Sequence, residues 1–366
     1  MNQQERAESR VATLQEFNES DGAYTNTQIF GLPFSEEQSE VILIPVPWEV
    51  TVSYRTGTAN GPEAIRAASS QIDLFNPHFP DIWKYGFAMQ PSDDLVIALN
   101  DKLRPLARAC MRQQENHDTH TALFSRNQQQ VNEGGHILNR RIYKKSLQIL
   151  QQNKIVGIVG GDHSAPLGLM QALANHYASY GILHIDAHFD HREAFDGFTF
   201  SHASIMRNAS YINEIKRIAH VGIRDYCKEE AEYVAQSNHR CIDFLDVDIA
   251  YNALGGNTPS WHDQCRNIIN RLPRDVYISF DIDGLDPKYC PHTGTPVPGG
   301  LEFYQAYFLI KCLADSGRRI IGFDLCEVAP APSSHEFTWA GDWNAIVGAR
   351  ILYLLCSVAA ISSFDK

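Results

Sequence analysis

The segment His184–Asp190 (HIDAHFD) carries two carboxylates and an imidazole that could act together. It follows the apolar run Tyr180–Leu183, which is typical of a buried strand. Because alternate side chains of a strand point to the same face, Asp186, His188 and Asp190 would share one face. Buried carboxylates need a compensating charge or hydrogen-bond donor, since their desolvation is costly. The segment therefore indicates either a set of metal ligands or a polar strand end.

Three further predicted strands end in polar clusters. These clusters are Gly160–Ser164, Ser279–Pro287 and Phe323–Glu327. Each cluster alone has an ordinary explanation, such as a helix cap, an Asx turn or a surface acid. In open α/β sheets, however, binding sites form at the carboxyl ends of the strands. Four clusters in this position therefore favour one common site.

The four clusters together supply two histidines and four aspartates, which are His163, Asp186, His188, Asp190, Asp281 and Asp283. Oxygen-rich ligation with some imidazole suits manganese, iron, nickel or zinc, and it differs from a thiolate site. Six ligands are too many for one tetrahedral zinc ion, and they suit two ions that share carboxylates. Two ions about 3.5 to 4 Å apart can hold a hydroxide nucleophile at neutral pH. The inventory therefore predicts hydrolysis without a covalent enzyme intermediate.

Apolar runs alternate with helical periodicities along most of the chain. Strands are predicted at 41–46, 155–159, 181–185, 217–223, 276–280 and 319–325. Strands separated by helices predict a single three-layer α/β/α domain with a central, mainly parallel sheet. Residues 1–39 are polar and predict an irregular N-terminal arm before a domain at 40–366. Within that domain, residues 72–95 predict a loop, and residues 100–153 predict a helical insert of one or two exposed helices.

The composition restricts the class of protein. The formal net charge of −12 and the pI of about 5.6 argue against a broad basic face for nucleic acid. The eight cysteines include no CxxC pair, which favours reduced thiols. The N-terminus lacks the apolar core of a signal peptide, and no run reaches the roughly 18 apolar residues of a membrane span. We therefore expect a cytoplasmic protein without nucleic-acid or membrane partners.

Three motifs resemble, in order, the metal-binding motifs of the ureohydrolases: GGDHS (160–164), DAHFD (186–190) and SFDIDGLDP (279–287). This family includes arginases, agmatinases, guanidinobutyrases, formiminoglutamases and guanidine hydrolases. Other segments similar to family motifs are SYRTGTANGPEAIR (53–66), TGTPVPGGL (293–301) and FDLCEVAP (323–330). The resemblance covers roughly residues 41–357 and implies an arginase-like fold.

The resemblance implies two manganese ions per chain, or nickel if the protein is a guanidine hydrolase. The ligands of one ion would be His163, Asp186, Asp190 and Asp281. The ligands of the other would be Asp186, His188, Asp281 and Asp283, so that Asp186 and Asp281 bridge the ions. All six positions carry the expected residue type, which disfavours a relative that has lost its metal.

The resemblance also implies a mechanism in which a hydroxide that bridges the ions attacks the guanidinium carbon, and urea and an amine are released. Asp190 would orient the hydroxide, and Glu327 would bind the guanidinium through charge-assisted hydrogen bonds. The leaving amine needs a proton from an acid with a pKa near neutral, and His202 matches the family's histidine on this loop. A helix-capping or solvated His202 is the alternative.

The guanidino substrate is left open by the sequence. Arginases have Asn two positions after the last acid of DAHxD, whereas this chain has Arg192, which disfavours arginine. We expect agmatine, which would give putrescine and urea, with guanidine, guanidinobutyrate and arginine as alternatives. His292 and the segment 337–352, which contains Trp339 and Trp343, depart from ordinary agmatinases and suggest the longer relatives that include guanidine hydrolases. The two tryptophans would either restrict the pocket or form ordinary core and subunit contacts. A catalytically silent regulatory relative is the alternative outside enzymes, and family analogy implies a homo-oligomer, a trimer or hexamer.

Overall fold

The computed structural model describes residues 1–18, 28–254, 259–332 and 336–364. The strands are β1 (Val41–Val46), β2 (Phe87–Met89), β3 (Ile155–Gly160), β4 (Tyr180–Ile185), β5 (Ile215–Ile223), β6 (Cys241–Leu245), β7 (Asp275–Asp281) and β8 (Arg319–Cys326). The helices are α1 (Gln3–Leu14), α2 (Gly61–Ser69), α3 (Asp94–Glu115), α4 (Ala122–Leu150), α5 (Leu167–His176), α6 (Ile205–Ser210), α7 (Lys228–Ala235), α8 (Asp246–Leu254), α9 (Trp261–Asn270), α10 (Phe303–Asp315) and α11 (Trp343–Phe364).

The eight strands form one sheet in the order β2-β1-β3-β8-β7-β4-β5-β6. All neighbouring strands in this sheet run parallel. The four strands that precede the polar clusters, β3, β8, β7 and β4, are therefore direct neighbours in the centre of the sheet. Their carboxyl ends lie along one edge, which confirms the predicted arrangement of the strands.

Helices cover both faces of the sheet. Alternate residues of β1 divide between two cores, because Val41 and Leu43 pack in one and Ile42 and Ile44 in the other. The first core includes residues of α2, α9, α10 and α11, and the second includes residues of α3 to α7. Burial on both faces accounts for the continuous apolar runs of the strands. The three-layer α/β/α prediction is confirmed.

Helix α11 is long and apolar enough to cross a membrane, judged by length and composition. We expected no such segment, and α11 is the exception among the described residues. Most of its most apolar stretch, 83%, is buried inside the protein, where it packs against β8 and α2. Because a helix that is apolar on all sides is typical of a domain core, burial explains the composition of α11.

The N-terminal segment contains a helix, so the expectation of an irregular arm was wrong for the residues of α1. Asn2 and Glu5 form a reciprocal capping box, which satisfies two backbone nitrogens at the start of α1. Arg6 and Arg10 are buried and pair with Glu40 at 2.6 and 2.9 Å. The polar composition of the segment concealed these buried ion pairs. The division of the chain at residue 39 stays a prediction.

Two short strands at the edges of the sheet were not predicted. β2 lies inside the segment 72–95, which we expected to be a loop, and β6 follows α7. Both pair with a single neighbour, so neither needs the long apolar run of a central strand. The two helices α3 and α4 occupy most of the range 100–153, where helices were expected. Their status as an insert stays a prediction.

Candidate metal centre

The central strand ends bring all six predicted ligands together. Five of them are buried, with relative exposures between 0 and 5%, and they are His163, Asp186, Asp190, Asp281 and Asp283. The side chain of His188 is 23% exposed. The cluster is therefore closed towards the sheet and opens to solvent on the side of His188.

The first group of ligands surrounds the ring of His163. Its Nδ1 atom lies 3.0 Å from Oδ2 of Asp186, 3.2 Å from Oδ2 of Asp190 and 3.3 Å from Oδ2 of Asp281. These residues come from the ends of three different strands. Three carboxylate oxygens that face one imidazole nitrogen form a candidate cation site, and they are the residues expected to bind the first ion.

The second group surrounds the ring of His188. Its Nδ1 atom lies 3.5 Å from Oδ1 of Asp186 and 3.2 Å from Oδ2 of Asp283. Asp186 thus directs one oxygen to each group, which is the arrangement of a bridging carboxylate. Asp281 directs Oδ2 to the first group, while its Oδ1 accepts a hydrogen bond from the backbone nitrogen of Asp283 at 2.8 Å. A bridging role for Asp281 stays a prediction.

Burial and neighbouring carboxylates raise the pKa values of some of these aspartates, whereas neighbouring histidines lower that of Asp186. Burial and the charge of Asp186 raise the pKa of Asp190 to about 6. Burial and the charges of Asp283 and Asp186 raise the pKa of Asp281 well above its usual value. Burial would also raise the pKa of Asp186, but His184 and His163 hold it well below its usual value. Because divalent cations favour ionised carboxylates, this oxygen-rich set of donors fits a pair of such ions.

A hydrogen-bonded chain behind His163 fixes the orientation of its ring. Nε2 of His163 lies 2.9 Å from Oγ of Ser279, and this hydroxyl donates to Oδ2 of Asp324 at 2.8 Å. The hydroxyl of Tyr277 donates to the same carboxylate oxygen at 2.7 Å. An Nε2–H that donates to Ser279 leaves the lone pair of Nδ1 directed at the carboxylates, as metal-binding histidines require.

Sequence reasoning missed these supporting residues. Tyr277, Ser279 and Asp281 occupy alternate positions of β7, and His184 and Asp186 have the same relation in β4. His184 donates from Nε2 to Oδ2 of Asp186 across 2.9 Å. Polar residues at every second position of an otherwise apolar strand, in register with a predicted ligand, are the sequence signal that would have identified them.

Two candidate functional residues have a left-handed backbone. The φ angle is 55° at Asp190 and 64° at Glu327, a region that residues other than glycine seldom adopt. The carbonyl of Asp190 accepts hydrogen bonds from the nitrogens of Met206 and Arg207, both at 3.1 Å. The nitrogen of Glu327 donates to the carbonyl of Gly161 at 2.8 Å. These contacts hold both residues in a costly conformation, which is characteristic of functional sites.

Glu327 places a buried carboxylate beside the first group. Its Oε1 accepts a hydrogen bond from the backbone nitrogen of His163 at 3.0 Å. A Cβ atom at Gly294 would lie only 2.9 Å from Oε2, so the absence of a side chain there makes room for the carboxylate. Burial and the charge of Asp162 raise the pKa of Glu327 well above its usual value. A cation bound next to Glu327 would restore its ionised form.

His202 begins a short turn before α6. Its backbone nitrogen donates to Oγ1 of Thr51 at 3.4 Å, and its ring lies edge-on to Phe195 with 5.8 Å between centroids. Burial and the charges of His188 and His163 lower the pKa of His202 to about 3. The ring is therefore neutral at pH 7, whereas the predicted acid requires a pKa near neutral. Its role as the proton donor stays a prediction.

Helix α4 contacts the loop that carries His202. Oδ1 of Asn132 accepts a hydrogen bond from the nitrogen of Thr199 at 3.0 Å, and its Nδ2 donates to the carbonyl of Gly197 at 3.3 Å. The ring of His136 lies edge-on to Phe200 with 4.4 Å between centroids. Helix α4 therefore supports the loop that carries His202.

The residues expected to govern specificity have different surroundings. Arg192 stacks over the ring of Phe195 at 5.1 Å, and its Nε lies 3.8 Å from Oε2 of Glu230. His292 is bound to Asn344 through its backbone nitrogen at 3.1 Å and its Nδ1 at 3.0 Å.

The two tryptophans expected to restrict the pocket differ in exposure. Trp343 is exposed and donates from Nε1 to the carbonyl of Lys288 at 2.9 Å, whereas Trp339 is buried. The contact with Lys288 holds the Trp343 ring without any ligand, so a role in shaping the pocket stays a prediction for both residues.

Comparisons with known proteins agree with this fold and show the family of the chain. A model of the Arginase family matches residues 39–356. The N(1)-aminopropylagmatine ureohydrolase of Synechocystis is 27% identical over 309 residues, which cover 84% of this chain and 87% of that relative. The agmatinase of Halalkalibacterium halodurans is 27% identical over 319 residues, which cover 87% of this chain and 93% of the relative.

The solved structure of the agmatine ureohydrolase of Thermoplasma volcanium has the same fold. It superposes with a TM-score of 0.65 at 20% identity and covers 96% of this chain and 97% of its own. The family match spans most of the sequence and includes every residue of the candidate metal centre. The chain therefore belongs to the arginase family and is a ureohydrolase.

Proposed function

We propose that this protein hydrolyses agmatine to putrescine and urea at a two-metal centre. The observation that carries the proposal is the position of Asp186 at the carboxyl ends of the central strands. Its two carboxylate oxygens face two separate His/Asp groups. The relatives named agmatinase and N(1)-aminopropylagmatine ureohydrolase support a substrate that carries an amine on the guanidino group's alkyl chain.

Each ion would be held by one of the two groups. His163, Asp190 and Asp281 would bind one ion, His188 and Asp283 would bind the other, and Asp186 would bind both. When bound, two divalent ions supply a hydroxide nucleophile at neutral pH. We propose manganese as the occupant, because carboxylate-rich ligation with two imidazoles suits it.

The chain's own residues bind and orient the reactants. Glu327 accepts hydrogen bonds from the guanidinium, which is the cation that its buried carboxyl group needs in order to ionise. The hydrogen bond from the backbone nitrogen of His163 holds this carboxylate beside the residues that would bind the first ion. Asp190 accepts the hydrogen bond of the nucleophile and so directs it at the guanidinium carbon. The left-handed backbone at Asp190 and Glu327 is fixed by hydrogen bonds, so both side chains are oriented before the substrate binds.

The leaving amine is expelled only when it is protonated, because an amide anion is a poor leaving group. His202 delivers this proton in our proposal. Its neutral ring first takes up the proton that the nucleophile loses, and it then passes that proton to the amine nitrogen. The edge-on contact of the ring with Phe195, and the hydrogen bond from the backbone nitrogen of His202 to Thr51, hold the residue in position for this transfer.

Arg192 supports a substrate without a carboxylate at this position. Its guanidinium is engaged by the ring of Phe195 and faces Glu230, so its charge is already partly compensated. We also propose that the protein acts in the cytoplasm as a homo-oligomer, a trimer or hexamer. All eight cysteines are free thiols, which supports a reducing compartment.

A substrate panel on metal-stripped protein tests the proposal. The protein is reloaded with Mn²⁺ or Ni²⁺, and urea is measured from agmatine, guanidinobutyrate, guanidine and arginine. We expect the highest kcat/KM with agmatine and Mn²⁺, and no activity in Asp283→Asn. Urea formed only from guanidine, and only with Ni²⁺, would show that guanidine and not agmatine is the substrate. The absence of urea from every compound would overturn the proposed reaction.

A further inference from the structure

A second cluster of metal-binding residue types lies behind the candidate centre. It consists of His191, His220 and Cys241, which are all buried, with relative exposures of 2, 0 and 5%. His191 follows the predicted ligand Asp190, His220 lies on β5, and Cys241 begins β6. The cluster therefore joins the ligand loop to the two outer strands on that side of the sheet.

Two of the three distances within the cluster are close to those between ligands of one tetrahedral ion. Nε2 of His191 lies 3.2 Å from Nε2 of His220 and 3.7 Å from Sγ of Cys241. One ligand atom from each of the three residues lies within 4.8 Å of the other two. Zinc bonds of about 2.0 to 2.1 Å to nitrogen and 2.3 Å to sulfur place tetrahedral N–N pairs about 3.4 Å and N–S pairs about 3.6 Å apart.

Hydrogen bonding fixes which atom of His220 faces this space. When the ring of His184 is neutral and donates from Nε2 to Asp186, its Nδ1 carries a lone pair. In that tautomer Nδ1 of His220, 2.8 Å away, is the donor of the pair, and the Nε2 atom of His220 carries a lone pair. This lone pair points at Nε2 of His191.

The cluster therefore brings two imidazole nitrogens and one sulfur, all of them in buried residues, close to one another. If Nε2 of His191 carries a proton, it can donate that proton to Nε2 of His220. The thiol of Cys241 is then left with only a weak hydrogen bond to His191. One cation accepts all three lone pairs at once. Nδ1 of His191 has no hydrogen-bond partner in the described part of the chain, so an ion bound at Nε2 would leave the Nδ1–H of this ring unpaired.

We propose that His191, His220 and Cys241 form a third metal site, which takes zinc or another thiophilic divalent ion. This site is separate from the proposed two-metal reaction and differs from it in having a sulfur ligand. A thiolate with two imidazoles suits zinc and also copper, so the donor set limits the occupant to a thiophilic ion. The ion would fasten the loop of Asp190 to β5 and β6, and the bonds through His184 would connect it to Asp186.

Cobalt spectroscopy on the full chain tests the site. The protein is stripped with a chelator and reloaded with Co²⁺, and near-ultraviolet absorption is recorded. A thiolate bound to Co²⁺ gives a charge-transfer band that a centre of carboxylates and imidazoles lacks. We expect the band in the wild type and its loss in Cys241→Ser, together with one metal ion fewer per chain.

The matched control is Cys326→Ser, because Cys326 is the cysteine that lies with His163 and Asp324 beside the first group of ligands. We expect Cys326→Ser to retain the band. Absence of the band in the wild type, or its persistence in Cys241→Ser, would overturn the proposal. A band that is lost only in Cys326→Ser would also overturn it.

A measurement on unmodified protein covers the case in which Cys241→Ser does not fold. Crystals of zinc-loaded wild type are used for anomalous diffraction at the zinc edge. We expect a peak enclosed by His191, His220 and Cys241 in addition to the peaks at the two-metal centre. Density at the two-metal centre without a peak at the third site would overturn the proposal and leave the proposed reaction untouched.

Discussion

The backbone nitrogen of His163 donates to Oε1 of Glu327 across 3.0 Å, so a predicted metal ligand and the predicted guanidinium-binding acid are directly joined. Glu327→Gln would retain this hydrogen bond through its amide oxygen and would remove only the charge. A hydrogen bond to a charged group contributes about 1.5 to 3 kcal/mol. We therefore expect kcat/KM for agmatine to fall about 10-fold to 100-fold, with unchanged metal content by elemental analysis.

Glu302→Gln provides the matched control, because this glutamate pairs with the exposed Lys288 on the surface. Its kcat/KM should equal that of the wild type. Loss of metal in Glu327→Gln would show that Glu327 holds the ions rather than the substrate.

Ser279→Ala should weaken metal binding, although Ser279 is not itself one of the predicted ligands. The change removes the acceptor for Nε2 of His163 and separates that ring from Asp324. Loss of such a partner typically lowers metal affinity about 10-fold to 100-fold. A competition titration with a chelator measures the affinity. Ser357→Ala, a buried serine in α11, is the control and should bind metal like the wild type. Equal affinity in the two variants would contradict the orienting role of Ser279.

Asn132→Ala should reduce turnover from outside the site. It removes two hydrogen bonds, each contributing about 1 kcal/mol, that tie the loop before His202 to α4. We expect kcat to fall about fivefold to tenfold in steady-state assays, while the metal content stays constant. Gln129→Ala, on the exposed side of the same helix, should leave kcat unchanged. A change in stability alone, with normal kcat, would show that α4 does not position the loop.

Asp93 should stabilise the fold in a manner that depends on pH. Burial opposes its ionisation, but hydrogen bonds from Arg141 and Lys145 lower its pKa to about 2. Because this pKa lies below the usual 3.8, the stabilisation is complete above pH 3.8 and is lost as the pH falls through about 2. Asp93→Asn keeps the cap on Leu95 and should lower the free energy of unfolding by about 1 kcal/mol at pH 7.

Urea unfolding at a series of pH values measures this effect. The difference between the wild type and Asp93→Asn should shrink below pH 3.8. Asp94→Asn, which changes the exposed neighbour, is the control for a general effect of charge. A difference that is the same at pH 7 and at low pH would show that the ion pairs of Asp93 do not stabilise the protein.

The central sheet and the ligand set could be predicted because their signals are local. Buried parallel strands need continuous apolar runs, and the polar residues that follow them mark the strand ends. The strand order could not be read from the sequence. In any parallel order that makes these strands neighbours, however, their carboxyl ends lie together on the same side of the sheet. His163 and Asp186 could therefore be grouped before their distance was known.

The remaining features depend on contacts that are distant in sequence. Ser279 orients His163 across 116 positions, and Arg6 is buried only because it meets Glu40. The edge strands β2 and β6 need few apolar residues, since each pairs on one side only. The lowered pKa of His202 arises from burial and neighbouring charges, which no local pattern records.

The order of the strands also determines when the site can exist during synthesis. β3 and β4 carry four of the six predicted ligands on their following loops, but they are not neighbours, because β8 and β7 lie between them. The ribosome releases the N-terminal part of a chain first. The sheet therefore cannot hold His163 and Asp186 in fixed relative positions until β8, which ends at Cys326, has emerged. We therefore expect metal loading to follow translation of nearly the whole protein.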